Sequence, residues 1–292
     1  MPTGDTFTTT VEEGLETTIA SARAEGEFPA NVMLKVCDRH QLKSGTGTAW
    51  REALAAKLTA QTYGETSTIN NPQELDLSII AFSPGLVAVE HFIGNKVEAT
   101  LNPQAFATFG SLAQNAMDRK LDEDGVAVFA QASVALGGSG TTQSSHISAA
   151  VTRILSDADE PGPLPIHAVL HGYQLHDIQS EILGGVGTYP IPEGYTAQVF
   201  NEGYKGQLGI TGAHIWVDGL IAVSSTPTVR GGVFSKMAIV LIQGIMPWKE
   251  LIPEPRKGYG GVTVILKNDY QWGERSPGNW LYGELHDGTV PS

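Results

Sequence analysis

Three histidines and an aspartate fall within eleven residues of "PIHAVLHGYQLHDIQSEILGG" (Pro165 to Gly185): His167, His171, His176 and Asp177. Imidazoles and carboxylates are zinc ligands, and two histidines four residues apart on one helix face form the frame of many metal-dependent hydrolases. That chemistry requires a helix through both His167 and His171, with a Glu between them as base. The sequence supplies neither. Pro161, Pro163 and Pro165 precede the stretch, "IHAVL" is an apolar run of strand length, and Gly172 interrupts it. The pattern predicts a buried strand over 166–170, a turn at His171-Gly172, and an amphipathic helix from about Tyr173 to Leu183 that stops at Gly184-Gly185. Four residues of strand span about 13 Å while side chains alternate faces, so shared ligation by His167 and His171 is disfavoured. A hydrolase built on His167, His171 and His176 stays open only as an alternative.

Other sites fail on their own templates. "GTGTAW" has Trp50, "GSGTTQ" has Gln143 and "GVGTYP" has Pro190 where a dinucleotide fingerprint needs glycine, and no P-loop lysine follows any of them. A calcium loop with Gly125 in sixth place would begin at Lys120 and end at Gln131, where carboxylates are required. Ser139 in "GGSGT" lacks the second glycine of a hydrolase elbow, Thr141 standing there instead. Cys37 has Asp38, Arg39 and His40 beside it, but neighbours on an extended chain alternate faces and make no catalytic pair. A buried, inert thiol is the expected state of Cys37. The expectation is no enzyme, no metal and no cofactor.

The elements around these residues are mostly extended. Thirty-four Gly and 16 Pro in 292 residues imply many turns, and the chain is long enough for one large domain or two interleaved ones. "LDLSIIAFSPGLVAVEHFIG" reads as two strands bent at Pro84-Gly85. One long helix follows, with Asn102 as N-cap and Pro103 in its first turn. Phe106, Phe109, Ala113, Ala116, Met117 and Leu121 recur at three- and four-residue spacing. Run through Gly125 to Gln131, it is about 43 Å long; Gly125 could instead kink or end it, and continuity is preferred. "ISAAVTRIL" opens an α/β region reaching to about Pro227, and alternation of Val262, Val264 and Leu266 marks a late strand.

Charge is uneven at the front of a chain of net charge −13. Residues 1–30 hold Asp5, Glu12, Glu13, Glu16, Glu25 and Glu27 against Arg23 alone, whereas residues 31–57 hold Lys35, Arg39, Lys43, Arg51 and Lys57 against Asp38 and Glu52. Both stretches could simply be solvated; the sharper reading is an acidic arm and a basic loop that meet complementary surfaces on neighbouring subunits. Arg39, Lys43, Arg51 and Lys57 are the inter-subunit contact candidates. From Gln41 to Asn71 large apolar residues are few, so this stretch needs outside contacts to become ordered. Sequence-specific nucleic-acid binding is disfavoured by the net charge. A single cysteine fits a reducing compartment, and neither a secretory signal nor a membrane span is expected.

The order of these parts resembles the major capsid protein of tailed bacteriophages, the Hong Kong 97 fold. "LKSGTGTAWREALAAKLTAQTYGETSTINN" resembles the loop leading into the core of these coat proteins. "SPGLVAVEHFIGNKVEATLNPQAFATFGSLAQNAMDRKLDEDGVAVFAQAS" resembles their strand and spine helix, and "PIHAVLHGYQLHDIQSEI" the strand, turn and helix of their axial subdomain. "NEGYKGQLGITGAHIWVDGLI" and the closing "GGVTVILKNDYQWGERSPGNWLYGELHDGTVPS" resemble later segments of the same fold. The resemblance implies an α+β chain divided as N-terminal arm (1–38), extended loop (39–75), peripheral domain with spine helix (76–140), axial domain (141–230) and a return to axial and peripheral domains (231–292). It further implies a homo-oligomer of pentamers and hexamers closing into an icosahedral head shell around double-stranded DNA. The expected partners are a separate scaffold, a portal, a decoration protein and non-specifically contacted DNA, with no membrane. The place is the virion, after assembly in the host cytoplasm. No lysine, asparagine and glutamate set for covalent crosslinking is recognisable. Alternatives are an encapsulin-like compartment shell, the hydrolase above, and an adhesin or tail protein.

Overall fold

The computed structural model describes residues 32–43, 47–55, 57–69, 72–74, 76–100, 103–132, 134–138, 140–185, 212–225, 227–276 and 279–291. The acidic stretch 1–30, the cap at Asn102, Ser139, and the segment that includes "VGTYP" and "NEGYKGQLGI" lie outside them. In chain order the elements begin with helix α1 (Val32–Val36) and strands β1 (Asp38–Gln41), β2 (Trp50–Ala55), β3 (Leu77–Phe82) and β4 (Gly85–Gly94). Helices α2 (Asn95–Thr100) and α3 (Pro103–Gln131), strand β5 (Val134–Leu136), helix α4 (Ser144–Leu155), strand β6 (Ile166–Leu170) and helix α5 (Gly172–Gly185) follow. The chain then runs as strands β7 (His214–Val217), β8 (Thr228–Ser235), β9 (Ile239–Gln243), β10 (Trp248–Pro253), β11 (Gly261–Glu274) and β12 (Leu281–Asp287).

Two five-stranded sheets share these strands. In the first, β1 runs parallel to β9, and the long β11 pairs antiparallel with β9, β10 and β4. In the second the order is β5-β12-β8-β6-β7. The chain passes from second sheet to first at β8 to β9, and back again after β11. A third, two-stranded ribbon is formed by β2 and β3, which pair antiparallel with Trp50 opposite Phe82 and Ala55 opposite Leu77.

Helix α3 runs unbroken for 29 residues and packs on β4 and β11 of the first sheet and on β8 and β12 of the second. Gly125 does not interrupt it. A Cβ there would sit 3.0 Å from Met33 and 3.1 Å from Trp272, so the missing side chain lets α1 and β11 close onto the helix. One turn later Phe129 is fully buried, and Gly232 of β8 leaves room for its ring. Met33, Val36, Leu121, Phe129, Phe234 and Leu241 form one core between the sheets. A second core lies under α4, whose Ile147, Ala150, Val151 and Ile154 recur at helical spacing and meet Ile166, Leu170 and Ile178. Each of the larger aliphatic or aromatic side chains contributes about 1.5–3 kcal/mol by leaving water.

The strand, turn and helix expected over 166–183 form β6, the turn at His171 and α5, which begins at Gly172 and extends to Gly185. The bend at Pro84-Gly85 separates β3 from β4. One expected boundary shifts. Residues 39–41, assigned by sequence to the start of the extended loop, belong to β1 of the first sheet, because parallel pairing with residues 241–243 of β9 holds them there.

Candidate functional site

The histidines are used up by the fold. All five residues of β6 are buried, since β7 and β8 flank it. His167 is 7% exposed, its Nδ1 accepts a hydrogen bond from Trp216 Nε1–H at 3.2 Å, and burial, then the neighbouring His214 and Lys236, pushes its pKa down to about 4. At the end of the strand, His171 donates its backbone N–H to Gln174 Oε1 at 3.1 Å, and its Nδ1 accepts Tyr173 N–H at 3.2 Å. Burial lowers its pKa too. His176 is exposed on α5, while Asp177 turns to Thr142 and accepts its N–H at 3.1 Å. His167, His171 and Asp177 therefore face separate partners, while His176 faces solvent. Among the described residues no group of three or more His, Cys, Asp or Glu could hold a metal ion. Cys37 is buried, and desolvation raises its thiol to about 12, so the thiolate needed for nucleophilic chemistry is not populated near neutrality.

Polar geometry converges instead at the root of the ribbon. Arg275, directly after β11, is almost wholly buried and donates from Nε to Glu52 Oε2 at 2.8 Å, from Nη2 to Asp38 Oδ2 at 3.0 Å and from Nη1 to Met237 O at 3.0 Å. His40 Nε2 lies 3.0 Å from both Asp38 Oδ2 and Arg275 Nη2. Burial works against ionisation of Asp38, yet the Arg275 hydrogen bond and the nearby His40 hold its carboxyl below the usual range. Trp50 stacks on His40 at 5.0 Å, meets Phe82 at 5.9 Å and lies under the Arg275 guanidinium at 5.8 Å. Gly273 of β11 has no side chain, which lets the Phe82 ring seat against that strand. Thus β1, β2, β3 and the end of β11 meet at one joint. A planar guanidinium with several donors in fixed directions is suited to such a junction, whereas an ammonium is not.

Beyond the joint the ribbon lacks a partner within the described residues. Its pairing register places Arg51, Ala53, Ala55, Leu77, Ile79 and Ala81 on one face. Ile79 is 63% exposed, Leu77 52%, and Ile69 in the distal segment 77%. A two-stranded ribbon is marginally stable alone, and an apolar face of this kind marks a contact surface.

The four basic candidates are all exposed. Lys43 and Arg51 line one open groove of about 610 Å³ with Gln41, Leu42, Gly47, Thr48, Ala49 and Trp50. Arg39 projects from β1 outside it. Lys57 instead turns to its own chain, donating to Ala158 O at 3.0 Å and lying 3.4 Å from Asp159. Sequence reasoning passed over Arg275, Glu52, Asp38 and His40 as a set, and no local motif signals them, since Arg275 and Asp38 stand 237 residues apart.

No protein-family model and no curated protein matches the sequence. Solved structures do match. A chain from Mycobacterium phage Che8 superposes with a TM-score of 0.70 at 13% identity, covering 92% of this chain and 97% of that one. The capsid of Cyanophage P-SCSP1u gives 0.65 at 12% identity over 96% and 95%. The head of Helicobacter pylori bacteriophage KHP40 gives 0.70 at 8% identity over 94% and 96%. Over so full an overlap, the chain has the Hong Kong 97-like α+β fold of these phage structures.

Proposed function

We propose that the chain is the major capsid protein of a tailed bacteriophage, a structural subunit that self-assembles as pentamers and hexamers into an icosahedral head shell around double-stranded DNA. The observation that carries this reading is the fold match over more than nine-tenths of both chains to structures described as phage capsids and heads. The exposed aliphatic face of the ribbon supports it, because a shell supplies the neighbour that such a face lacks among the described residues. In this reading residues 1–38 are an arm, the extended loop starts after Gln41 and reaches residue 75, residues 76–140 build the peripheral region with its long helix, residues 141–230 build the axial one, and residues 231–292 return through both. The negative overall charge keeps the subunit from adhering to packaged DNA beyond non-specific contact. A separate scaffold, a portal and a decoration protein would be its partners, and the virion its destination after assembly in the host cytoplasm. No described helix is long and apolar enough to cross a membrane.

Mass photometry and negative-stain microscopy of the purified protein test the proposal. Closed shells of uniform size are expected. Monomers or dimers alone, also when a scaffold is co-expressed, would sink it.

A further inference from the structure

Asp122 in the middle of α3 and Asp218 just after β7 are 1% and 0% exposed, and their carboxyl groups lie within hydrogen-bonding reach of each other. Asp122 already accepts two backbone donors: Oδ1 takes Met33 N–H at 2.9 Å, and Oδ2 takes Val32 N–H at 3.4 Å. Asp218 Oδ1 accepts Leu220 N–H at 2.8 Å, but its buried Oδ2 finds no donor among the described residues. An acceptor sealed from water without a donor is costly, and two ionised carboxylates in contact are more so. A hydrogen on Asp218 Oδ2 removes both faults, since that oxygen then donates to Asp122.

We propose that Asp122 and Asp218 form a proton-binding site, in which one proton carried by Asp218 and shared with Asp122 latches the root of the N-terminal segment to the long helix and to the end of β7. The latch joins three elements because Asp122 holds the first amides of α1 while Asp218 holds the turn at Leu220. Loss of the proton sets a second negative charge against Asp122 and weakens its hold on Val32 and Met33.

The sense of the pH dependence follows from the environment. Burial, opposed by the Leu220 N–H and reinforced by Asp122, raises Asp218 from 3.8 to about 7. A raised folded-state value means that the stabilisation is fully present below the unfolded value and is lost as pH rises through about 7. Cys37, which follows α1, has its pKa raised chiefly by burial and slightly by the charge of Asp122, and stays a neutral thiol across this range. His167 acts in the opposite sense, its contribution being lost as pH falls from 6.5 toward about 4.

Infrared spectroscopy of the full chain reads the proton directly. The wild type should show the carbonyl band of a buried, protonated carboxyl at pH 5, lost with a midpoint near 7. Asp218→Asn, whose amide donates to Asp122 without titrating, should lack that band. Between pH 5 and pH 8 the wild type should lose several degrees of melting temperature relative to Asp218→Asn, and amides of residues 32–36 should lose protection in the wild type alone. His167→Gln introduced into both backgrounds should leave that difference unchanged. A wild type without the band at pH 5 overturns the proposal, as does an equal pH slope in wild type and Asp218→Asn. Should Asp218→Asn not fold, the wild-type band with Asp122→Asn as the comparison decides alone, because removing the Asp122 charge must shift or abolish the titration.

Discussion

Strand β6 and the β2–β3 ribbon are of similar strand length, yet they are completed by different means. Every residue of β6 is buried between two neighbouring strands, and even its histidine has a partner within the chain. The ribbon pairs only with itself among the described residues and turns Leu77 and Ile79 outward. Folding of one copy accounts for β6. The described residues leave the ribbon's apolar face uncovered, and the proposed assembly would bury it against a neighbour. Stability and assembly should therefore be separable by mutation.

The largest effect belongs to the closed side of the comparison. Phe129→Ala empties a fully buried site between α3 and β8, where the ring also meets Phe234 at 5.6 Å. A loss of about 3–5 kcal/mol is expected, measured by denaturant unfolding, and shells should fail because subunits fail. A loss below about 1 kcal/mol would mean that this core is not the one that holds the sheets together.

Arg275→Ala attacks the joint between the two regions. It strands Asp38 and Glu52 without their cation, at the lower end of the roughly 3–5 kcal/mol for breaking a buried pair, since both carboxylates keep some contact with water. Arg275→Lys should recover only part of this, because one ammonium cannot reach Glu52, Asp38 and the Met237 carbonyl in their separate directions. Full recovery by lysine in urea melts would reduce the joint to simple charge pairing.

On the open side, Ile79→Glu should change subunit stability by no more than about 0.5 kcal/mol, as an exposed substitution does. Shell yield should nevertheless drop sharply, because the charge would have to be buried against the neighbour. Unchanged yield by sedimentation would show that this ribbon face meets solvent in the assembled state.

The same contrast explains what could be read in the sequence. The course of α3, the strand, turn and helix at 166–185, and the bend at Pro84-Gly85 are set by local periodicity and by proline and glycine chemistry, and they were legible. Continuity through Gly125 is the preferred reading but not one that the local pattern forces, since the reason for that glycine lies in Met33 and Trp272, far away in sequence. The place of β1 in the first sheet, the Arg275 joint and the Asp122 and Asp218 pair were not legible. Each depends on which distant segments pair, and four residues of mixed polarity such as Asp38–Gln41 carry no periodicity that would reveal it.

The smallest effects concern charge. Arg39, Lys43 and Arg51 are exposed, so each ion pair they make with a neighbour is worth only about 0.2–1 kcal/mol. Repetition around a shell multiplies such terms. Changing all three to Glu should leave circular dichroism unaltered, because even Arg39, on the edge strand β1, points its side chain outward. Shell yield should fall, and most at low salt, where screening is weakest. The geometry divides the three further. Lys43 and Arg51 share one groove while Arg39 stands outside it, so the Lys43→Glu and Arg51→Glu pair should reproduce most of the loss and Arg39→Glu alone little. Equal yields across the salt series would remove the electrostatic role of this surface. An equal share of the loss for Arg39 would place the neighbour's acidic surface across β1 rather than in the groove, and a loss of folded signal would show that these charges serve the subunit's own fold.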